Sequence, residues 1–503
     1  MATAGIAASF AGPLDSRDRD AVTALGRVLR THGFAGAAVP AALGGPLRSK
    51  DFLRTDLSLY LRRLAASTPI NTLIKLFMLD QWVEERSARA ALAPLDLRDV
   101  RLMGLIEESS QGVRARVRLS SYCDLILAHD RYDGPSAHLS EDHVLDVNPT
   151  TVTLASLMVR RPARSALDLG TGCGVLALLA ARHSERVVGI DLNARALNVA
   201  AFNGLLNGVD HVEWRQGNLF EPVAGTRFDL VVCNPPYVIS PETQYVFRDS
   251  GRKGDALCEE VVRRVPDYLE DGGFASILCN WALAPGEAWS APLRRWVERS
   301  RCDSWLLYGT AQDPLTYAAG WNRSPDRTRY EQALGDWTAY CDELGIASIG
   351  MGAVILRRRA EGVGWIRADS MPENAIEPCD VHVRRIFQSQ DYLSTVHDDG
   401  ALLAHAFQAA DDLRLHHTLS LKNGEYVVDR SEIQLTGGLQ FKGSVDAYTI
   451  HLMARCDGRR TVDEVVTELA MKGGAARDQV ATACAAIVRR LVALGFLIPV
   501  TAR

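Results

Sequence analysis

The residues that suggest chemistry begin with Asp168-Leu169-Gly170-Thr171-Gly172-Cys173-Gly174, where glycine recurs at every second position after an apolar run. Glycine serves where a chain must turn with positive φ and approach a ligand with no Cβ in the way. A helix predicted from Val175 to His183 would then offer its N-terminus to an electronegative group. The spacing is GxGxG with an Asp two residues ahead, which differs from the GxGxxG of dinucleotide sites. About 20 residues on, Val187-Val188-Gly189-Ile190-Asp191 reads as a second strand ending in a carboxylate, with Leu192 beside it. In such an architecture that acid accepts hydrogen bonds from the two hydroxyls of a ribose. After a third strand come Asn218, suited to an adenine amino group, and Leu219, suited to packing on the ring. Together these residues describe an adenosine-bearing ligand. A nicotinamide site or a purely structural turn fits the spacing less well.

A fourth apolar run, Phe228 to Cys233, delivers Asn234-Pro235-Pro236-Tyr237. Ligands bind at the carboxyl edge of open α/β sheets, so these residues would face the same ligand. An amide or aromatic amine has a delocalised lone pair and attacks a methyl group poorly. The Asn234 side-chain oxygen and the Pro235 carbonyl can each accept one hydrogen of an NH2 group, which orients its nitrogen and favours partial pyramidalisation. Pro236 stiffens the loop, and the Tyr237 ring is expected to stack on the planar acceptor. Catalysis of methyl transfer from a sulfonium would then rest on positioning and electrostatics, with no strong base. The alternative is a plain Pro-rich turn, disfavoured because the motif stands in register with the three elements before it.

The order ALDLGTGCGVLAL, VVGIDLNARALNVAAFNGLLNG, GNLFEP and FDLVVCNPPYV resembles the class I S-adenosylmethionine-dependent methyltransferases of the NPPY type. Within that group it is most similar to release-factor glutamine N5-methyltransferases, and next to small-domain ribosomal RNA guanine and adenine N-methyltransferases. The resemblance covers about Leu145 to Trp281. It implies S-adenosylmethionine as cofactor, held by Asp168, Gly170, Gly172, Gly174, Asp191, Leu192, Asn218, Leu219 and Asn234. It further implies that Asn234, Pro235 and Tyr237 hold the target nitrogen. Two departures stand out: Asn218 occupies a position that is commonly Asp, and nothing in the glutamine methyltransferases corresponds to residues 360–503.

The elements that must position these residues are legible in outline. Ser165 to Leu169, Val187 to Ile190, Val212 to Arg215, Phe228 to Cys233 and Phe274 to Cys279 are short apolar runs, most of them separated by amphipathic helices, the pattern of a parallel sheet covered on both faces. Trp305 to Tyr308 and Ala347 to Leu356 read as a terminal antiparallel pair with no crossover helix between them. The expected fold is α/β, a Rossmann-like seven-stranded core at 131–359. A helical, winged-helix-like domain at 1–130 precedes it, and an α+β winged-helix-like domain at 360–503 follows. In the first part, helices are predicted over Asp20 to Gly33, Asp51 to Ser67 and Pro69 to Arg89. A strand with alternating Arg114, Arg116 and Arg118 follows, read as a solvated face rather than a nucleic-acid strip. In the last part, a strand is expected at Val427 to Leu435, with helices at Val445 to Arg455, Val462 to Ala470 and Arg477 to Leu494.

The 503 residues carry 56 basic and 61 acidic side chains, a net charge of −5, which argues against a polyanion as the main partner. The acceptor is therefore read as a protein or peptide glutamine, or a planar amine on a small molecule, with RNA second and a homodimer considered. A regulator that binds S-adenosylmethionine and uses its winged-helix-like ends on DNA is the reading from another class; the intact Asn-Pro-Pro-Tyr speaks against it. Ten scattered cysteines without a CxxC pair suggest reduced thiols, and no metal site is expected. Met1 to Gly12 lacks a basic n-region and no apolar stretch reaches a membrane span, so a cytoplasmic protein is expected. Ile239 to Leu257 has the polar, Gly-punctuated character of a substrate lid, in which Arg248, Asp249 and Lys253 either read the acceptor or belong to a solvated loop. Asn148-Pro149-Thr150-Thr151 either closes over the site or caps a helix. His416 and His417 are assigned to the surface, and Cys173 to packing.

Overall fold

In the computed structural model, residues 10, 12–45, 56–131, 139–372 and 378–500 are described. The expectations for residues 1–9 and 11, and for the start of the helix predicted from Asp51, lie outside them. The chain divides into two compact units, one running to Ser370 without Ser156–Val159 and the other taking Ser156–Val159 with Met371 onward.

The first unit is built on an eight-stranded sheet. Its strands in chain order are β1 (Ala163–Leu169), β2 (Ser184–Asp191), β3 (Val212–Gln216), β4 (Phe228–Cys233), β5 (Leu269–Leu283), β6 (Cys302–Gln312), β7 (Ser348–Arg358) and β8 (Ile366–Ser370). They lie in the order β3-β2-β1-β4-β5-β7-β6-β8. The first five are parallel, β7 is antiparallel to both β5 and β6, and β8 runs parallel to β6. β4 is buried at every position, as a strand covered on both faces must be. The order reverses between β1 and β4, so the two chemical turns leave adjacent strands at the crevice where α/β sheets bind ligands.

Three expectations need correction. The sheet has an eighth strand, which moves the unit boundary from 360 to beyond Ser370. Two helices, Pro314–Trp321 and Arg327–Glu343, join β6 to β7, where none was expected. The first 130 residues are not a separate unit, because one helix of the core, Ala194–Leu206, holds them with asparagine side chains. Asn203 accepts the Ala128 N–H at 2.7 Å and donates to Ala128 O at 3.0 Å, and Asn207 at the helix end does the same for Ile126 at 2.9 and 2.7 Å. These amides substitute for a neighbouring strand against Leu125–His129. Asn198 likewise accepts the Leu14 N–H at 3.0 Å. The Arg19–Thr31 helix packs on the same core helix; a Cβ on Gly26 would stand 1.9 Å from Leu206 O, so only glycine permits the approach.

The arginine-rich stretch also differs from expectation. It forms parts of two hairpins, Ile106–Ser109 with Gly112–Ala115 and Arg118–Tyr122 with Leu125–His129. Arg118 pairs with buried Asp80, and Arg114 lies over the Trp82 ring at 5.9 Å. Only Arg116 is exposed, so the alternation makes neither a solvated face nor a basic strip.

In the second unit, strands Asp457–Thr461, Ala406–Ala409 and Leu497–Pro499 form a sheet. Helices Ala447–Met453, Val462–Gly473 and Arg477–Ala493 fall where sequence periodicity put them. A long ribbon, Leu413–Lys422 paired with Glu425–Leu435, was foreseen only in its second strand. His416 and His417 lie exposed on it. Nine of the ten cysteines are buried and Cys123 is exposed. Among the described residues no helix is long and apolar enough to cross a membrane.

Candidate functional site

A cavity of about 530 Å³ opens at the carboxyl ends of β1, β2 and β4. Its first wall is the glycine turn. Gly170, Gly172 and Gly174 have φ of +76°, +54° and +86°. Gly170 and Gly172 line the cavity, and a Cβ on Gly172 would meet nothing within 4 Å, so this backbone is bare toward the space. Gly174 does not line it. A Cβ there would press on Ala200 and Trp214 at 3.0 Å, so this glycine lets the Val175–Ala180 helix pack.

Asp168 is also absent from the cavity wall. It is buried behind the turn, accepting from Thr171 Oγ1 at 2.7 Å and from the Ala177 N–H at 2.9 Å, and so caps the first turn of the helix. Burial pushes its carboxyl up to about 7, with the charge of Asp191 adding to the rise. Cys173 is buried too, and burial raises its thiol to about 12, which suits packing and not nucleophilic attack.

Asp191 lines the cavity at the end of β2. Its two oxygens accept the Gly172 N–H at 2.8 Å and the Asn193 N–H at 2.9 Å, which locks the second strand end to the glycine turn. Burial pushes its carboxyl upward. Leu192 and Asn218 are exposed at the rim, and Leu219 holds φ +48°, a left-handed conformation that a leucine rarely adopts. Strain of this kind concentrates at ligand sites.

The opposite wall is the turn after β4. Asn234, Pro235 and Pro236 line the cavity, and a Cβ on Gly170 would stand 3.7 Å from Asn234 O, so the two turns abut. Asn234 Oδ1 is buried and has no hydrogen-bond partner. Buried acceptors are rarely left so. Tyr237 does not line the cavity. Its hydroxyl bonds Thr150, its ring packs into the core, and burial raises its phenol to about 12. The structure thus leaves the expected stacking role unfilled by this ring.

The segment Ile239 to Leu257 contributes Thr243, Val246, Phe247 and Asp249 to the cavity. Arg248 and Asp249 are buried, not solvated. Arg248 Nε donates to Asp249 Oδ1 at 2.8 Å, its other nitrogen reaches Glu242, and its guanidinium lies 4.8 Å over Tyr245. Lys253 is exposed, 3.8 Å from Glu343. Asn148 accepts the Thr151 N–H at 2.9 Å and caps the Pro149–Leu157 helix, the second of the two readings, while also lining the cavity. Sequence reasoning missed His143 and Phe247, which tilt together at 5.9 Å on the cavity's edge. Burial pushes the His143 imidazole down. Neither residue carries a local signal.

Residues 143–288 match the profile of the Methyltransferase small domain family. This part of the chain matches a methyltransferase domain. The methyltransferase domain is 35% identical over 130 residues to a release factor glutamine methyltransferase of Xylella fastidiosa, an alignment covering 24% of this chain and 47% of that one. It is 38% identical over 161 residues to a ribosomal protein uL3 glutamine methyltransferase of Bradyrhizobium diazoefficiens, covering 29% and 50%. A release factor glutamine methyltransferase of Geobacter sulfurreducens matches at 29% over 218 residues, covering 41% and 73%. The chain thus spans about half the length of the first of these relatives. Two domain families of unknown function match residues 31–116 and 384–499, on either side of the methyltransferase domain.

The cofactor of such a domain is S-adenosylmethionine, and the cavity fits it. Bare backbone at Gly170 and Gly172, a carboxylate at the end of β2 and an apolar Leu219 at the rim meet the needs of a methionine tail, a ribose and an adenine in turn. Among the described residues no group of three or more His, Cys, Asp and Glu side chains is placed to hold a metal ion.

Proposed function

We propose that this protein is an S-adenosylmethionine-dependent N-methyltransferase of the cytoplasm. Its acceptor in this reading is a glutamine-type amide of a protein or peptide, or a similar planar amine of a small molecule. The observation that carries the reading is Asn234, a residue of the cavity wall whose side-chain oxygen is buried and unpartnered. Gly170, Gly172, Asp191, Leu192, Asn218 and Leu219 hold the cofactor, and Asp168 and Gly174 support that wall from behind.

Bound, S-adenosylmethionine would supply a sulfonium methyl group, its S–CH3 bond breaking as the N–C bond forms and its sulfur leaving as a neutral thioether. Asn234 Oδ1 accepts one hydrogen of the incoming NH2 group and the Pro235 carbonyl accepts the other. The pair fixes the plane of the amide and draws electron density toward nitrogen, which raises its lone-pair character as the new N–C bond forms. The proton in excess leaves to water after transfer, so no buried base is needed. Pro236 holds the clamp rigid, since its φ is fixed. The names of the relatives, which methylate glutamine in a release factor and a ribosomal protein, favour a protein acceptor.

The test is to add methyl-tritiated S-adenosylmethionine and purified protein to a lysate of a host lacking this gene, with Asn234→Ala as the blank. The counts are then separated into protein, RNA and small molecules. Label in protein or in small molecules supports the reading. Label in RNA reverses it in favour of a base N-methyltransferase. No label with the cofactor bound would favour a regulator.

A further inference from the structure

The two helices between β6 and β7 reach the acceptor wall with three hydrogen-bonding aromatic side chains. Tyr317 is buried; its phenol oxygen accepts the Ile239 N–H at 3.1 Å and Asn280 Nδ2 at 2.9 Å. Trp337 Nε1 donates to Glu242 Oε1 at 3.1 Å. The Tyr340 hydroxyl accepts the Gly254 N–H at 2.9 Å. The three anchors fall near the start and the end of the segment that follows Asn-Pro-Pro-Tyr. Arg248 adds a fourth contact, 5.7 Å over the Trp337 ring. Around them Val238, Ile239, Tyr317, Ala318, Trp337, Cys341, Ile346 and Ile349 form one apolar cluster.

Asn280 lies on β5, beside β4, so Tyr317 ties the start of the acceptor segment to the sheet itself. Between Ile239 and Asn234 the chain contains Pro235 and Pro236, whose φ angles are fixed. A stiff link of this kind passes a displacement at Ile239 to the clamp. Asn280 Oδ1 is fully buried and without a partner, so the amide is held at this point by its bond to Tyr317.

We propose that Tyr317 is a positioning residue for the acceptor: through Ile239 and Asn280 it keeps Asn234 and Pro235 in register, while Trp337 and Tyr340 fix the remainder of the segment. The helical pair 314–343 is then the element that shapes which acceptors enter. The inference rests on the proposed role of Asn234 as the acceptor clamp.

Tyr317→Phe separates this role from simple packing, because the ring still fills the cluster while the Ile239 N–H and Asn280 Nδ2 lose their acceptor. With the full chain, kcat is expected to fall roughly ten- to hundredfold, the cost of misplacing a reacting group by a fraction of an ångström to an ångström. The dissociation constant for S-adenosylmethionine, set by the other wall, should stay unchanged, and amide exchange at Ile239 should accelerate. Should this variant fold poorly, Trp337→Phe removes the bond to Glu242 and trims the ring beneath Arg248, and it should lower kcat severalfold with the cofactor constant unchanged. Unchanged kcat, or a parallel loss of kcat, cofactor affinity and Tm, overturns the inference. Exchange and cofactor binding need no acceptor. Thus if the wild type methylates nothing, the reading of the function fails, while unaltered exchange at Ile239 in Tyr317→Phe overturns the positioning role independently.

Discussion

The glycine turn after β1 and the Asn-Pro-Pro-Tyr turn after β4 close one cavity from neighbouring strands, yet they are built by different means. The cofactor wall is local: the contacts that shape it, Asp168 to Thr171 and Ala177 and Asp191 to Gly172, span three to nineteen residues. Much of it is backbone conformation, which only glycine permits. The acceptor wall is held from a distance. Tyr317 stands 78 residues from Ile239, Tyr340 stands 86 from Gly254 and Trp337 stands 95 from Glu242. The difference teaches that a site for a fixed cofactor can be written into one turn, while a site for a variable acceptor is set by whichever elements pack behind it.

If the two walls are functionally separate, substitutions should split their effects. The largest is expected for Asn234→Ala, which should lower kcat by about 10²–10³-fold, the scale for loss of one preorganised group aimed at the reacting atoms. Cofactor affinity, read by calorimetry, should hold; a matching loss of affinity would erase the distinction between walls. Asp191→Asn should do the reverse, weakening cofactor binding by roughly 10- to 100-fold, the scale of hydrogen bonds to a charged group. At saturating cofactor its kcat should return toward the wild-type value.

A smaller effect should appear in the pH dependence of stability. Burial raises the Asp168 carboxyl to about 7 from an ordinary 3.8, so the folded state binds more protons than the unfolded state between those values. The stability this group contributes is full below the lower value and is lost as pH rises through the upper one. Asp168→Asn cannot ionise, and its Tm relative to wild type should therefore climb between about pH 4 and about pH 7. A constant difference in Tm over that range would contradict the assignment. The smallest effect is expected for Lys253→Ala, an exposed side chain paired loosely with Glu343. Stability should change by less than about 0.5 kcal/mol. An increase in the acceptor KM would show instead that Lys253 reads the acceptor and would extend the acceptor wall outward.

The same contrast explains what could be read without the structure. The parallel strands were legible from their apolar runs, most plainly Phe228–Cys233, which is buried at every position, and the terminal strand pair followed from its apolar stretches. The glycine turn, Asp191 and Asn234 were legible as neighbours of one cavity because each stands at a fixed place in a strand–turn unit. Asp168, Gly174 and Tyr237 were grouped with the ligand contacts, since adjacency in sequence cannot separate a residue facing the cavity from one bracing it. The helices at 314–343 were missed because their burial depends on the acceptor segment. The packing of the first 130 residues was missed because Asn198, Asn203 and Asn207 look like ordinary polar positions until their amides meet Leu14 and the strand Leu125–His129.

The most direct test of the acceptor assignment is to fragment the methylated product by tandem mass spectrometry and locate the added methyl group. The mechanism derived from Asn234 and Pro235 predicts one added methyl on the side-chain nitrogen of a glutamine, or on an equivalent planar amide or amine, absent from the product of Asn234→Ala. A methyl group on carbon, oxygen or sulfur, or one that persists when Asn234 is replaced, would contradict it.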